Sequence, residues 1–286
     1  MSIFVTFGIG YGTVLLACIY SWFHAGILAH RYAQTVGLPQ RDGLFGLDTD
    51  LYDRSFKEHA LGVLAKDSSR TTKIVSLGLD NTLRARLVER MHLAPGMVVC
   101  NLMTGGGEMW PHLVPLIARG GSITAVDFTP EMLALAQQRL GRMSARPVIT
   151  LHQADACATG LPDDHFDAVV CAFGLATLTS TQFDELLQEI LRILRPGGIF
   201  GFVELSRPAE RRRQRWFDSY LAGVAPALSE LLGGHLGGTL LLREYLTRFD
   251  NGQLLLPSFY KHRCIFYRYE FFGGCATAIV GMKDSA

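Results

Sequence analysis

The residues of this chain best suited to chemistry sit where apolar runs give way to helices. Val98-Val99-Cys100-Asn101-Leu102 leads into Met103-Thr104-Gly105-Gly106-Gly107-Glu108, with a helix predicted to start near Met109. Glycines at a strand-to-helix turn let a ligand approach the backbone closely, which singles out Gly105 and Gly107. Alone the turn is weak evidence, because glycines also make ordinary tight turns. The next strand, Ser122 to Asp127, ends in a carboxylate about 20 residues beyond the turn, where an acid can accept both ribose hydroxyls of a nucleoside. A third strand, Val148 to Gln153, is followed by Ala154-Asp155-Ala156, which puts Asp155 in reach of an adenine amino group. Asp167, at the start of the strand Phe166 to Ala172, reads as structural.

These groups need a frame, and the chain supplies one from Lys73 onward. A helical stretch to Met91 precedes a strand from Met97 to Leu102, after which strands and helices alternate. Further strands are predicted at Ile199 to Leu205, Arg263 to Tyr269 and Ala276 to Gly281, with Pro196-Gly197-Gly198 turning sharply into the first of these. Such alternation predicts an α/β fold with a doubly wound, mostly parallel seven-stranded sheet.

The chain has 286 residues, enough for one such domain and an appendage. Hydrophobic residues make up 49% and charged ones 19%, and the apolar excess is concentrated at one end. Ile3 to Ala29 contains no Asp, Glu, Lys or Arg, longer than the roughly 20 residues a membrane-spanning helix needs. The run is too long for a signal-peptide core and lacks a basic leader and a clean cleavage site. His24, near its end, is read as a neutral interfacial residue. Arg31 and Arg41 follow the run and no basic residue precedes it, which predicts a single-pass protein with its body on the cytoplasmic face. The expected division is 1–30 anchor, 31–72 linker and N-terminal helical region, 73–286 catalytic domain. A net charge of +1 argues against a nucleic-acid partner. The six cysteines show no zinc-ligand spacing and read as reduced packing residues.

In order and wording the chain resembles the ubiquinone/menaquinone C-methyltransferases, within the class I S-adenosylmethionine (SAM) dependent methyltransferases with their Rossmann-like fold. The resemblance runs from about Ile74 to Lys283. It is carried by Val75-Ser76-Leu77-Gly78-Leu79, the turn Asn101 to Trp110, Val126-Asp127-Phe128-Thr129-Pro130-Glu131-Met132-Leu133, Ala172-Phe173-Gly174-Leu175 and Leu194-Arg195-Pro196-Gly197-Gly198. Glu204-Leu205-Ser206-Arg207-Pro208 and Phe272 to Gly281 are its most family-specific pieces.

The resemblance implies that SAM is the cofactor and a prenylated quinone in the membrane the substrate. It implies that Gly105 and Gly107 approach the methionine portion of SAM, that Asp127 binds its ribose, and that Asp155 and Ala156 border its adenine, with Asn101 and Thr104 also among the cofactor-binding residues. Phe128 and Met132 would wall the cofactor, although apolar residues at helical spacing are more often core. For proton removal the nearest candidates in sequence are His112, after the glycine turn, and His165, before the fourth strand; each is equally open to a surface reading.

Three departures from the family pattern stand out. Asn101 replaces an aspartate that helps hold the amino-acid end of the cofactor, Ser68-Ser69 replaces a Tyr-Asp pair, and Ala176-Thr177 replaces Arg-Asn. The altered turn also resembles the rhodoquinone-biosynthesis branch, in which SAM donates nitrogen rather than methyl and a divalent metal such as manganese takes part. Glu108, Asp127 and Asp155 could supply hard oxygen ligands to such a metal, although carboxylates at the ends of parallel strands are equally expected of any nucleoside site. A third reading, motivated by Asn101, is a SAM-binding pseudoenzyme that organises a complex at the membrane. Arg211, Arg212, Arg213 and Arg215 beside Trp216 form a basic aromatic patch suited to anionic headgroups, or else a solvated helix face. The apolar stretches Phe217 to Leu232 and His235 to Leu246 occupy the position of a substrate cover, or pack as ordinary helices.

Overall fold

The computed structural model describes residues 69–285 apart from 119, 144–147, 233–235, 250–252 and 254. The expected anchor, residues 1–30, and nearly all of the linker lie outside the described residues. Among the described residues no helix is long and apolar enough to cross a membrane.

Seven strands form one sheet: β1 (Val98–Leu102), β2 (Ser122–Asp127), β3 (Val148–Gln153), β4 (Phe166–Ala172), β5 (Leu194–Leu205), β6 (Ile265–Phe271) and β7 (Ala276–Met282). Their order is β3-β2-β1-β4-β5-β7-β6. Every pairing is parallel except those of β7 with β5 and β6. The direction of winding reverses between β1 and β4, and a ligand crevice opens at the carboxyl ends of strands flanking such a switch point. The burial pattern follows the layering. β4 is buried along nearly all its length, as a strand covered on both faces must be, whereas the edge strands β3 and β6 alternate between half-buried and exposed.

The helices that cover the sheet are α1 (Asp80–Met91), α2 (Trp110–Ile117), α3 (Pro130–Arg142), α4 (Ser180–Ile193), α5 (Arg211–Ser219), α6 (Ala225–Leu231), α7 (Leu236–Arg248) and α8 (Leu256–Lys261). A π-helical turn, Tyr220–Val224, joins α5 to α6. Phe183, Phe200, Phe202 and Phe259 pack ring on ring between β5, α4 and α8. Asp167 is structural, as expected: it accepts the Val98 N–H at 2.6 Å and pairs with Arg195, tying β4 to β1 and β5.

Two details differ from the sequence expectation. The helix predicted to run from Lys73 to Met91 is two helices, over 69–75 and α1. Leu77 (φ 54°) and Gly78 (φ 76°) leave helical geometry between them, and Ser76 Oγ accepts the Asp80 N–H at 3.2 Å. The Pro196-Gly197-Gly198 turn lies inside β5, which begins at Leu194. A register irregularity against Phe166 and Ala168 accommodates it, and Gly197 (φ 74°) donates its N–H to the Lys283 carbonyl.

Candidate functional site

At the carboxyl ends of β1, β2 and β4 lies a cavity of about 190 Å³, flanked by a smaller one of about 80 Å³. Both are bordered by Met103, Asp127, Phe128 and Thr177, so one crevice runs across the switch point. The smaller compartment is walled by Ala154, Asp155, Ala156 and Cys157 beyond β3. The larger extends from Gly105 and Met132 to a far wall made by Ser69, Thr71 and Thr72 of the 69–75 helix and by Leu241 and Tyr245 of α7.

Asp127 stands at the centre of this crevice. One of its oxygens accepts the Gly105 N–H at 2.8 Å and the other the Thr129 N–H at 3.0 Å, so a single carboxylate fixes the glycine turn and the start of α3. It is 8% exposed, and burial pushes its carboxyl above the ordinary range against the pull of those N–H bonds. Asp155 accepts the Cys157 N–H at 2.9 Å, which curls the chain after β3 around the smaller compartment.

The glycine turn is held from outside. Arg139 of α3 donates from Nε to the Gly106 carbonyl at 2.5 Å and from Nη2 to Glu108 at 3.0 Å. Nothing in the turn motif signals this residue, because it lies a full strand and helix downstream. Met103 (φ 48°) and Phe173 (φ 62°), which directly follow β1 and β4, both carry left-handed backbone and both border the larger cavity. Such strain in non-glycine residues concentrates where ligands are positioned.

The structure brings Thr104, Gly105, Asp127, Phe128, Met132, Asp155 and Ala156 together around the crevice. It places four other candidates elsewhere. Asn101 borders neither compartment. Its amide donates to the Leu102 and Val170 carbonyls, each at 3.3 Å, and its oxygen accepts from Thr104 Oγ1 at 2.8 Å, so the side chain is used within the sheet. Gly107 (φ 80°) also stays clear of the cavity; a Cβ there would lie 2.7 Å from the buried Trp110 ring, so packing demands the glycine. His165 precedes β4, at the end of the strand away from the crevice, its ring edge-on to Phe166 at 4.9 Å. His112, on α2, borders neither compartment, and its Nε2 is buried without a partner. Burial, and then the charge of Arg84, lower its pKa, so it is neutral at neutral pH.

Two further groups bear on the cavity, Arg84 on its wall and Glu204 through the turn that carries Thr177. Arg84 of α1 borders it and pairs with Asp80 at 2.6 Å. Glu204, at the end of β5, accepts the N–H groups of Ala176 at 3.2 Å and Leu205 at 3.0 Å and holds the 3-10 turn Leu175–Thr177 in place. Burial pushes the Glu204 carboxyl up to about 7, opposed by those N–H bonds and by Arg84. A raised acid in the folded state stabilises fully below its unfolded value and loses that contribution as pH rises through the folded value. Folding stability is therefore expected to be lower at pH ~8 than at pH ~5 by on the order of 3 kcal/mol from this group. Urea denaturation of wild type and Glu204→Gln at both pH values checks this: the variant should show a smaller decline.

Among the described residues no three His, Cys, Asp or Glu side chains converge to hold a metal ion. Glu108 is engaged by Arg139, and Asp127 by backbone N–H groups. The thiols of Cys100 and Cys171 are wholly buried and pushed far up by burial, consistent with packing rather than chemistry.

Comparison with known proteins agrees with this geometry. The model of the ubiE/COQ5 methyltransferase family matches residues 55–283. A demethylmenaquinone methyltransferase of Desulfitobacterium hafniense is 25% identical over 79% of this chain and 88% of its own length. A ubiquinone/menaquinone biosynthesis C-methyltransferase of Shewanella sediminis is 28% identical over 56% of this chain, a match that spans 62% of that enzyme. The crystal structure of a SAM-dependent methyltransferase from Aquifex aeolicus superposes with a TM-score of 0.54 at 16% identity, covering 76% of this chain and 98% of that one. The fold is thus the Rossmann-like class I methyltransferase fold.

Proposed function

Since this chain belongs to the ubiE/COQ5 methyltransferase family, we propose that it transfers a methyl group from SAM to a ring carbon of a prenylated hydroquinone in quinone biosynthesis. The observation that carries this reading is the two-compartment crevice with Asp127 at its centre. Its smaller side, beside Asp155, fits a nucleoside, and its larger side, where Phe173, Leu241 and Tyr245 face Ser69, Thr71 and Thr72, fits an oxygen-bearing lipid ring. Asp127 would take the ribose hydroxyls, Asp155 and Ala156 the adenine, and Thr104, Gly105, Phe128 and Met132 the methionine portion. When bound, SAM supplies an electrophilic methyl group on a sulfonium sulfur, and the net reaction exchanges a ring hydrogen for methyl with release of one proton and S-adenosylhomocysteine. The chain's own contribution is positioning: Arg139 and Asp127 fix the turn, while Phe173 and the 69–75 helix shape the far wall.

Asn101 motivated two other readings, amino transfer of the rhodoquinone kind and a pseudoenzyme. Its inward hydrogen bonds keep the loss of charge away from the crevice, which supports the methyltransferase reading over both. Residues 1–30 would serve as a single membrane anchor with the catalytic body on the cytoplasmic face, holding the enzyme where its substrate resides. On the body, Trp216 is 79% exposed on α5 amid Arg211, Arg212 and Arg215, an arrangement suited to anionic lipid.

The test is incubation of the detergent-solubilised protein with SAM and prenylated hydroquinones, read by mass spectrometry. A gain of one methylene is expected. Conversion of a methoxy to an amino group, or no product from a protein that binds SAM, would replace this reading with one of the other two.

A further inference from the structure

We propose that Arg84 is a substrate-binding group that receives a ring oxygen of the acceptor in the far compartment of the crevice. The inference rests on the hydroquinone reading above. Arg84 is 5% exposed yet borders the larger cavity. Burying a guanidinium costs several kcal/mol unless its donors are met. Here only part of the fork is engaged: Nη1 donates to Asp80 at 2.6 Å, and the buried Nε has no partner.

The group is also held rigidly. Asp80 is fixed by Ser76, whose hydroxyl donates to it at 3.4 Å, and the guanidinium lies over the Phe173 ring at 4.7 Å from its centroid. Phe173 itself is kept in left-handed backbone directly after β4, on the cavity wall. The other acid near Arg84 does not complete the fork, because the two oxygens of Glu204 accept backbone N–H groups. A planar cation with spare donors beside an aromatic ring matches an oxygen-bearing ring that slides in parallel to Phe173. Held there, a hydroxyl oxygen of the acceptor would gain anionic character, and an electron-rich ring is what attack on a methyl group needs.

The test compares wild type, Asp80→Asn, Arg84→Lys and the double variant Asp80→Asn/Arg84→Met, using SAM and a short-tailed hydroquinone in detergent. The double change removes both charges, so no unpaired carboxylate remains buried. SAM affinity, measured calorimetrically, should stay within about threefold in all four, since Arg84 is assigned no contact with the cofactor. Against Asp80→Asn, the double variant should lose about 100-fold in kcat/KM for the hydroquinone. Arg84→Lys, which keeps the charge and loses the fork, should lose at least about tenfold and decides the matter if the double variant does not fold. Turnover by wild type with kcat/KM unchanged in the readable variants would overturn this inference alone. SAM binding without any product from wild type would overturn the hydroquinone reading and this inference with it.

Discussion

Replacing Asp127 by alanine is expected to weaken SAM binding about 100-fold. Hydrogen bonds from a ligand to a charged group contribute roughly 1.5–3 kcal/mol each, and a ribose offers two hydroxyls. The same carboxylate holds the Gly105 and Thr129 N–H groups, so alanine also frees the glycine turn from α3. Asp127→Asn separates the two contributions. It keeps the volume and one acceptor oxygen, and should cost about tenfold in affinity with a smaller loss of thermal stability. Calorimetric titration with SAM and with S-adenosylhomocysteine checks both variants. An alanine variant that binds within about threefold of wild type would place the nucleoside elsewhere.

The second large effect is one of stability. Gly107→Ala should lower folding stability by about 3 kcal/mol, because a left-handed non-glycine residue costs roughly 1–2 kcal/mol and overpacking a core a further 1–3. The new methyl group would meet the buried Trp110 ring at 2.7 Å, and the ring has no room to turn away. Gly105→Ala makes the contrast. Its Cβ would lie 3.3 Å from a carboxylate oxygen of Glu108, the far end of a flexible side chain. That variant should lose about 1 kcal/mol of stability but more SAM affinity, since Gly105 borders the cavity. Thermal melts with and without SAM distinguish the pair, and equal behaviour of the two glycines would contradict the separate roles assigned to them.

The difference between these neighbouring glycines shows where sequence reading reaches its limit. A glycine-rich turn announces that the backbone is unusual, but whether a ligand or a tryptophan demands it depends on packing that spacing does not encode. Asp127 was legible because a strand of the right length ends in it and a carboxyl end at a switch point is where nucleosides bind. The same rule already argues against His165, which precedes its strand rather than following it. Asn101 was harder. It stands at a strand end, yet its side chain turns toward β4 and the turn, away from the crevice.

The strands were legible to within two residues except at the start of β5, since β-α-β alternation with apolar runs leaves few other arrangements. The helix break at Leu77 and Gly78 was not, because a single glycine within a helical pattern is tolerated as often as it ends one. That break gives the far wall of the site its own helix. Arg84 escaped notice for a related reason: it lies on α1, ahead of the first strand, and no motif spacing ties that helix to the crevice. Only the fold brings it over Phe173.

The central claim is that the carbon of SAM, and not its nitrogen, reaches the quinone ring. The measurement that tests it most directly uses SAM carrying carbon-13 in the methyl group and nitrogen-15 in the amino group, incubated with the full-length protein and a demethylated prenylated hydroquinone. Isolated product should carry carbon-13 bonded to a ring carbon and no nitrogen-15. Nitrogen-15 on the ring, with the labelled methyl left on the spent cofactor, would contradict the account.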